Sequence, residues 1–292
     1  MGKYGDYQAS THMIGITGAT GALGRRVAER LAQRGASQRL IVRDLNRAPD
    51  LPGASAAMAA YEDIDAFERA ARGVDTLLLI PAPASDDRVE RHLGAVDAAL
   101  AAGVGRIVYV SFLSAGPASV CAAARDHFYT EARIRASGVR HTFLRPGLYL
   151  DLLPSWVDSA GLIRGPAGQG RLAWVSREDA AEAAVAVLTG GTGHDGRTYD
   201  LTGPEAVGLG ETARRLSALT GRTIAYAPES VPTAGGRLRV GESWAGGGAC
   251  AAIAAGELDV VSPSVPELIG RRAQSIEGYL RTRPSALHHA PV

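Results

Sequence analysis

The sequence predicts an α/β fold, a doubly wound parallel sheet with a smaller interleaved C-terminal α+β lobe, and three observations carry that expectation. A glycine turn, Gly18-Ala19-Thr20-Gly21-Ala22-Leu23-Gly24, stands between the apolar run Ile14-Gly15-Ile16-Thr17 and a segment that keeps Leu23, Val27 and Leu31 on one helical face. Near-continuous apolar runs, above all Thr76-Leu77-Leu78-Leu79-Ile80, lack the alternation of half-exposed strands and suit parallel strands covered on both faces. Segments of helical period lie between them, as in Arg88 to Ala102, where Val89, Leu93, Val96 and Leu100 share a face and Gly103 ends the run.

Taken in order, the first strand runs into the glycine turn and its helix. Gly18, Gly21 and Gly24 have separable tasks: leaving the strand, letting backbone N–H groups approach a pyrophosphate, and packing the helix closely on the sheet. An anion would sit at the N-terminus of that helix, where unpaired N–H groups and the dipole favour negative charge. The turn therefore points to a dinucleotide cofactor, with Thr17, Gly18, Thr20, Gly21, Ala22, Leu23 and Gly24 around its phosphates, and the sheet becomes a Rossmann sheet.

Arg39 to Arg43 reads as the second strand. An acidic residue at its end would bind the adenosine ribose, whereas an arginine pairs with a 2′-phosphate. Arg43 comes first and Arg47 follows, so NADP(H) is expected in preference to NAD(H), which Asp44 leaves possible. A short strand is expected at Ala57 to Ala60, a helix at Ile64 to Ala71, and strands at Val74 to Ile80 and Arg106 to Ser111. Strand ends on one edge surround the ligand in such a sheet, which nominates Pro81, Ala82, Ser111 and Phe112 as cofactor contacts. A helix from Cys121 to Ser137 precedes the strand Arg140 to Gly147, stopped by Pro146. Beyond it Leu148 to Val157 reads as helical, Gly161 to Gly170 as loop, Asp179 to Leu188 as an alanine-rich helix, and Arg197 to Leu201 as a strand returning to the sheet. A helix near Gly210 to Leu219, a strand Thr223 to Tyr226 and helices near Gly248 to Ala255 and Arg272 to Leu280 complete the lobe. The organisation expected is a leader at 1–12, a cofactor core at 13–150, an interleaved substrate lobe at 151–285 and a tail at 286–292.

Composition excludes several function classes. The net charge of +1 over 292 residues, without a basic cluster, disfavours nucleic acid and anionic membrane surfaces. No apolar run approaches the roughly 18 residues of a membrane span, and the polar start lacks the apolar core of a signal peptide. Cys121 and Cys250 are flanked by alanines and fit small core residues in a cytoplasmic protein. Lys3 is the sole lysine, which removes Schiff-base chemistry, a lysine-bearing phosphate loop and a Tyr-x-x-x-Lys reductase pair. No cysteine pair or His-Glu-x-x-His run suggests a metal, and His288-His289 lies in the tail. Trp156, Trp174 and Trp244 would line or brace the lobe.

The chain resembles the atypical short-chain dehydrogenase/reductases of the NmrA-like group, and most of all their quinone oxidoreductase type 2 branch. The resemblance runs from Met13 over nearly the whole chain. It is carried by Thr17 to Gly24, Val42-Arg43, Ile107 to Ser111, Thr130-Glu131, Ser137-Gly138-Val139, Leu144-Arg145, Ala251 to Leu258 and Leu268 to Arg271. It implies an NADPH-binding domain with a C-terminal substrate lobe, and reduction of a quinone or a polycyclic aromatic ketone. Ordinary superfamily members use a tyrosine and a lysine, with a glutamate one helical turn beyond the lysine. If Glu131 is that glutamate, His127 stands at the lysine position and Ala123 at the tyrosine position, so the usual proton donor is missing. Tyr129 and Arg133 are out of register for a substitute. His127 could donate to substrate or to the nicotinamide ribose, or be a structural helix histidine. Ser111 and Tyr149 are further candidates for orienting a substrate carbonyl, and the nicotinamide is expected near Ser111, His127 and Pro146. The alternative is a non-catalytic NADP(H)-binding redox sensor, which could tolerate losing the tyrosine and lysine. Substrate identity and the choice between monomer and homo-oligomer stay open.

Overall fold

The computed structural model describes residues 12–230 and 247–283. Residues 1–11 of the expected leader, the expected tail, Trp244 and His288-His289 lie outside that range. Strand β1 (Ile14–Thr17) buries all four residues, and α1 (Ala22–Gln33) lays Leu23, Val27, Ala28 and Leu31 on the sheet. The alternation continues through β2 (Gln38–Val42), β3 (Ala54–Met58), α2 (Ile64–Ala71), β4 (Thr76–Leu79), α3 (Arg88–Ala101), β5 (Arg106–Val110), α4 (Ala122–Ala136) and β6 (Arg140–Pro146). After it come α5 (Leu153–Trp156), β7 (Leu162–Gly165), β8 (Arg171–Leu172), α6 (Arg177–Thr189) and β9 (Thr198–Leu201). The described chain closes with β10 (Val207–Gly208), α7 (Leu209–Thr220), β11 (Ala225–Pro228), α8 (Gly247–Ala254), α9 (Ser264–Ile269) and α10 (Ile276–Thr282).

The main sheet has seven strands in the order β3-β2-β1-β4-β5-β6-β9, parallel in every pair. The order turns back between β1 and β4, so the crevice beyond their carboxyl ends is where a doubly wound sheet takes its ligand. One apolar layer, with Phe67, Val96 and Phe143, fills the face under α2, α3 and α4. The other, with Val27, Leu31, Ala184 and Val185, fills the face under α1 and α6, which pack together. A third apolar cluster, holding Leu153, Trp156, Trp174, Leu216 and both cysteines, lies in the C-terminal lobe. Interleaving is physical here, since α6 covers the main sheet and β9 completes it after the chain has entered the lobe.

Four expectations need correction. The third strand starts at Ala54, because pairing to Gln38–Val42 recruits small edge residues that carry no apolar signal. The expected loop at Gly161–Gly170 contains β7, paired in parallel with β11 some sixty positions away by Leu162↔Ala225 and its neighbours. With one buried apolar residue, Ile163, between glycines, that strand is specified by its partner rather than by its own pattern. Leu148–Val157 is helical only over Leu150–Leu152 and Leu153–Trp156, after Tyr149 bridges to Val175. The last helix begins at Ile276, where the Ser275 hydroxyl accepts from the Gly278 amide at 3.1 Å, and a separate short helix, α9, precedes it.

Candidate active site

The glycine turn forms a phosphate cradle. Gly18 has φ +63°, the left-handed value that favours glycine, and a Cβ on Gly24 would lie 2.3 Å from the Gly18 carbonyl oxygen. Helix α1 starts at Gly21 without a side-chain cap and without an acidic residue in its first turn. Its leading N–H groups are left to an anion, so these residues fit the pyrophosphate of a dinucleotide.

Two cavities meet over this turn and share Gly18, Gly21 and Ile80 to Pro83. The smaller, about 230 Å³, reaches across Thr17, Thr20 and Ala59 to Tyr61 and ends at Arg43. Arg43 is exposed and forms no ion pair among the described residues. Asp44 caps its own turn, its Oδ1 accepting from the Asn46 amide at 3.0 Å, and it is not part of the cavity lining. Arg47 is not part of this lining. Thr17 meets the cavity, but its hydroxyl accepts from the Ile80 amide at 2.8 Å and lies 2.7 Å from the Tyr61 hydroxyl, tying β1 to β4.

The larger cavity, about 410 Å³, is bounded by Ala22, Leu23 and Gly24 on one side and by Pro81, Ala82, Ser111, Phe112, His127, Pro146 and Tyr149 on the other. Apart from Arg47, every candidate site residue read from the sequence thus borders one of the two cavities. Arg88, Leu152 and Arg177, which the sequence did not single out, border the larger one as well.

Arg88 is 2% exposed. Its Nε donates to the Ala82 carbonyl at 3.0 Å, its Nη2 donates to His127 Nε2 at 3.0 Å, and its Nη1 reaches Asp126 Oδ2 at 3.4 Å. A guanidinium can only donate, so His127 Nε2 accepts and Nδ1 carries the proton toward the Tyr109 hydroxyl, 2.8 Å away. His92 repeats the pattern: its Nε2 accepts from the Ala82 amide at 2.9 Å and its Nδ1 faces Thr130 Oγ1 at 3.1 Å. Burial and the neighbouring Arg88 hold His127 well below the ordinary imidazole pKa, and the same causes push His92 down to about 3. Of the two readings of His127, a proton donor or a structural helix histidine, these contacts favour the second. Both ring nitrogens are engaged inside the protein, and the imidazole is a neutral part of the cavity wall.

Ser111 is also engaged. Its hydroxyl donates to Glu131 Oε1 at 2.6 Å, and Glu131, fully buried, is held by Arg145 at 2.8 and 2.6 Å and by Arg135 at 2.9 Å. Only lone pairs of Ser111 remain for a ligand. Tyr149 differs, because among the described residues its hydroxyl has no hydrogen-bond partner while the Arg177 guanidinium covers its ring at 4.8 Å. Burial, partly offset by Arg177, raises its pKa, which keeps the phenol protonated at neutral pH. Tyr129 is half exposed, and Arg133 pairs with Asp97, so neither borders the cavity. Trp156 and Trp174 meet edge to face at 5.3 Å inside the lobe core instead of lining the site.

Comparison with known proteins agrees with this geometry. The NAD(P)H-binding domain family matches residues 18–190. A (4-alkanoyl-5-oxo-2,5-dihydrofuran-3-yl)methyl phosphate reductase of Streptomyces griseus is 39% identical, over 73% of this chain and 76% of the relative. The NADPH-dependent quinone oxidoreductase QOR2 of Escherichia coli, solved with NADPH, superposes with TM-score 0.84 at 32% identity, covering 92% of this chain and 99% of that one. The triphenylmethane reductase of Citrobacter, solved with NADP(H), gives TM-score 0.82 at 28% identity, covering 95% and 100%. The chain is an NAD(P)H-dependent oxidoreductase, which sets the sensor alternative aside. It belongs to the NAD(P)H-binding domain family, as an atypical short-chain dehydrogenase/reductase of the NmrA-like group near the quinone oxidoreductase type 2 branch.

Proposed function

We propose that this protein is an NADPH-dependent reductase of quinones or polycyclic aromatic ketones that works without the tyrosine–lysine pair of its superfamily. The carrying observation is the larger cavity, which continues from the phosphate cradle to Tyr149, whose hydroxyl has no hydrogen-bond partner among the described residues. Bound NADPH supplies the hydride. Arg43 would pair with the 2′-phosphate, the amides of Ala22 and Leu23 would hold the pyrophosphate, since that of Gly21 donates to the Gly18 carbonyl at 2.9 Å, and Pro81, Ala82, Phe112, His127 and Pro146 would line the nicotinamide. Tyr149 donates a hydrogen bond to the acceptor oxygen and orients it, and the apolar wall excludes water from the transfer. A quinone delocalises the charge it receives, so its phenolate, hydrogen-bonded by Tyr149, takes a proton from water as the product leaves, and no paired general acid is needed.

Arg177 and the identity to the Streptomyces griseus reductase favour a second reading, an unsaturated lactone bearing a phosphate, with Arg177 as the cation for that phosphate. Loss of NADPH absorbance with purified protein, over a panel of ortho- and para-quinones, polycyclic ketones and a phosphorylated acyl butenolide, tests both. Turnover of the rings supports the first reading, turnover of the butenolide alone supports the second, and no turnover across the panel overturns both.

A further inference from the structure

Arg88 is a full charge in an apolar cavity wall, and its compensation is one-sided. The nearest carboxylate is Asp126, 3.4 Å away on the outer side, with a side chain 30% exposed, while Arg88 itself is 2% exposed. The other buried carboxylate of the region, Glu131, already meets two arginines and Ser111. His127 and His92, the remaining titratable partners, are neutral by the hydrogen-bond pattern. Arg88 therefore turns the positive end of its ion pair with Asp126 to the cavity, in a medium where charges act at several times their strength in water. Its other engagement is mechanical. The backbone of Ala82 is gripped at its oxygen by Arg88 and at its amide by His92, and Ala82 belongs to both halves of the cavity.

We propose that Arg88 is the charge that makes this site prefer the reduced dinucleotide, besides being the positioning residue for Ala82 and His127. The inference rests on the reading that the larger cavity takes the nicotinamide. A nicotinamide that has given up a hydride carries one positive charge more than before. A fixed cation behind the ring opposes that charge and leaves the neutral reduced ring undisturbed. The consequence is tight capture of NADPH and easy release of NADP+. The same field favours the negative charge that arrives on the acceptor.

The test is the ratio of the NADP+ and NADPH dissociation constants, measured by calorimetry on the full chain without acceptor. It is therefore independent of whether any quinone or ketone is reduced. Arg88→Met is expected to lower the ratio about tenfold, and Arg88→Lys to keep it within about threefold of wild type. Asp126→Asn, which removes the outer countercharge at a partly exposed position, is expected to raise it about threefold. Equal weakening of both forms by Arg88→Met would leave Arg88 a purely mechanical role and overturn the proposal. Should Arg88→Met fail to fold, Asp126→Asn decides, since an unchanged or lowered ratio overturns it. Absence of turnover together with a shifted ratio would defeat the proposed activity and leave this inference standing.

Discussion

The Arg88 guanidinium lies 3.0 Å from Nε2 of His127, and that one contact fixes the tautomer of the imidazole, its charge and its place in the wall. Because the arginine cannot accept, His127 is held with its proton on Nδ1, pointing to Tyr109 and away from any ligand. A histidine that looks like a proton donor from its position on α4 is thereby converted into a fixed neutral surface, and the charge of the site comes from α3.

Stability follows from the same network. His92, with its pKa pushed down to about 3, and His127, well below its usual value, bind their protons only in the unfolded chain. Folded values below the unfolded value of about 6.5 mean that their contribution is complete above that pH and is lost as pH falls toward the folded values. Between pH 7 and pH 5 His92 is expected to remove about 2 kcal/mol of stability, and His127 to act in the same direction. Urea melts at the two pH values check this, with His92→Gln retaining an acceptor for the Ala82 amide. The variant should lose the His92 share of the acid sensitivity, about 2 kcal/mol between the two pH values, and an identical pH dependence in both proteins would refute the assignment.

At the other end of the site, Arg43→Ala is expected to weaken NADPH about 10- to 100-fold, the worth of a charge-assisted phosphate contact. NADH, which lacks the 2′-phosphate, should change less than about twofold. Michaelis constants for the two cofactors on one acceptor decide it. Equal losses would show that Arg43 serves the turn rather than the phosphate.

These two ends differ in how far the sequence reveals them. The glycine turn and Arg43 are legible because each acts through a local arrangement, a strand, a tight turn and a strand end, whose spacing is written along the chain. Arg88 is not. On the apolar pattern of Arg88–Ala101 it falls outside the face formed by Val89, Leu93, Val96 and Leu100, and an arginine in that place reads as solvated. In the fold this helix buries the face that carries Arg88, His92, Ala95 and Ala99 and leaves Val89, Leu93 and Leu100 half-buried, while Ala82 and α4 take up the guanidinium. Strand β7 is illegible for a similar reason: its partner β11 is expected from the pattern of Thr223 to Tyr226, but it lies far along the chain, and β7 itself carries one buried apolar residue between glycines. The same distance dependence hid the engagement of Ser111: the strand end is legible, but the carboxylate that accepts its hydrogen bond lies on the following helix.

Tyr149 supplies a prediction on turnover. Removing its hydroxyl leaves the ring under Arg177 and the cavity wall intact, so Tyr149→Phe should fold and bind NADPH as wild type does. The turnover number is expected to fall about 100-fold with a ketone, whose alkoxide needs a proton as it forms. With a quinone, which tolerates a developing phenolate, the loss should stay within about tenfold. Stopped-flow oxidation of bound NADPH compares the two acceptors, and equal losses would assign Tyr149 to orientation alone.

The buried Glu131 offers the last test, because it joins Ser111 at the end of β5 to Arg145 on β6. Glu131→Gln removes the charge and keeps the shape, leaving Arg145 20% exposed with its carboxylate partner gone. Breaking a buried pair from one side costs about 3 kcal/mol, whereas Ser111→Ala, which removes one neutral donor, should cost about 1 kcal/mol. Because the hydroxyl donates to that same carboxylate, the double variant should be more stable than the sum of the single losses implies. Additive losses in denaturant melts would mean that the Ser111–Glu131 contact contributes nothing. The hydroxyl of Ser111 would then be free to serve a ligand, as its place at the strand end first suggests.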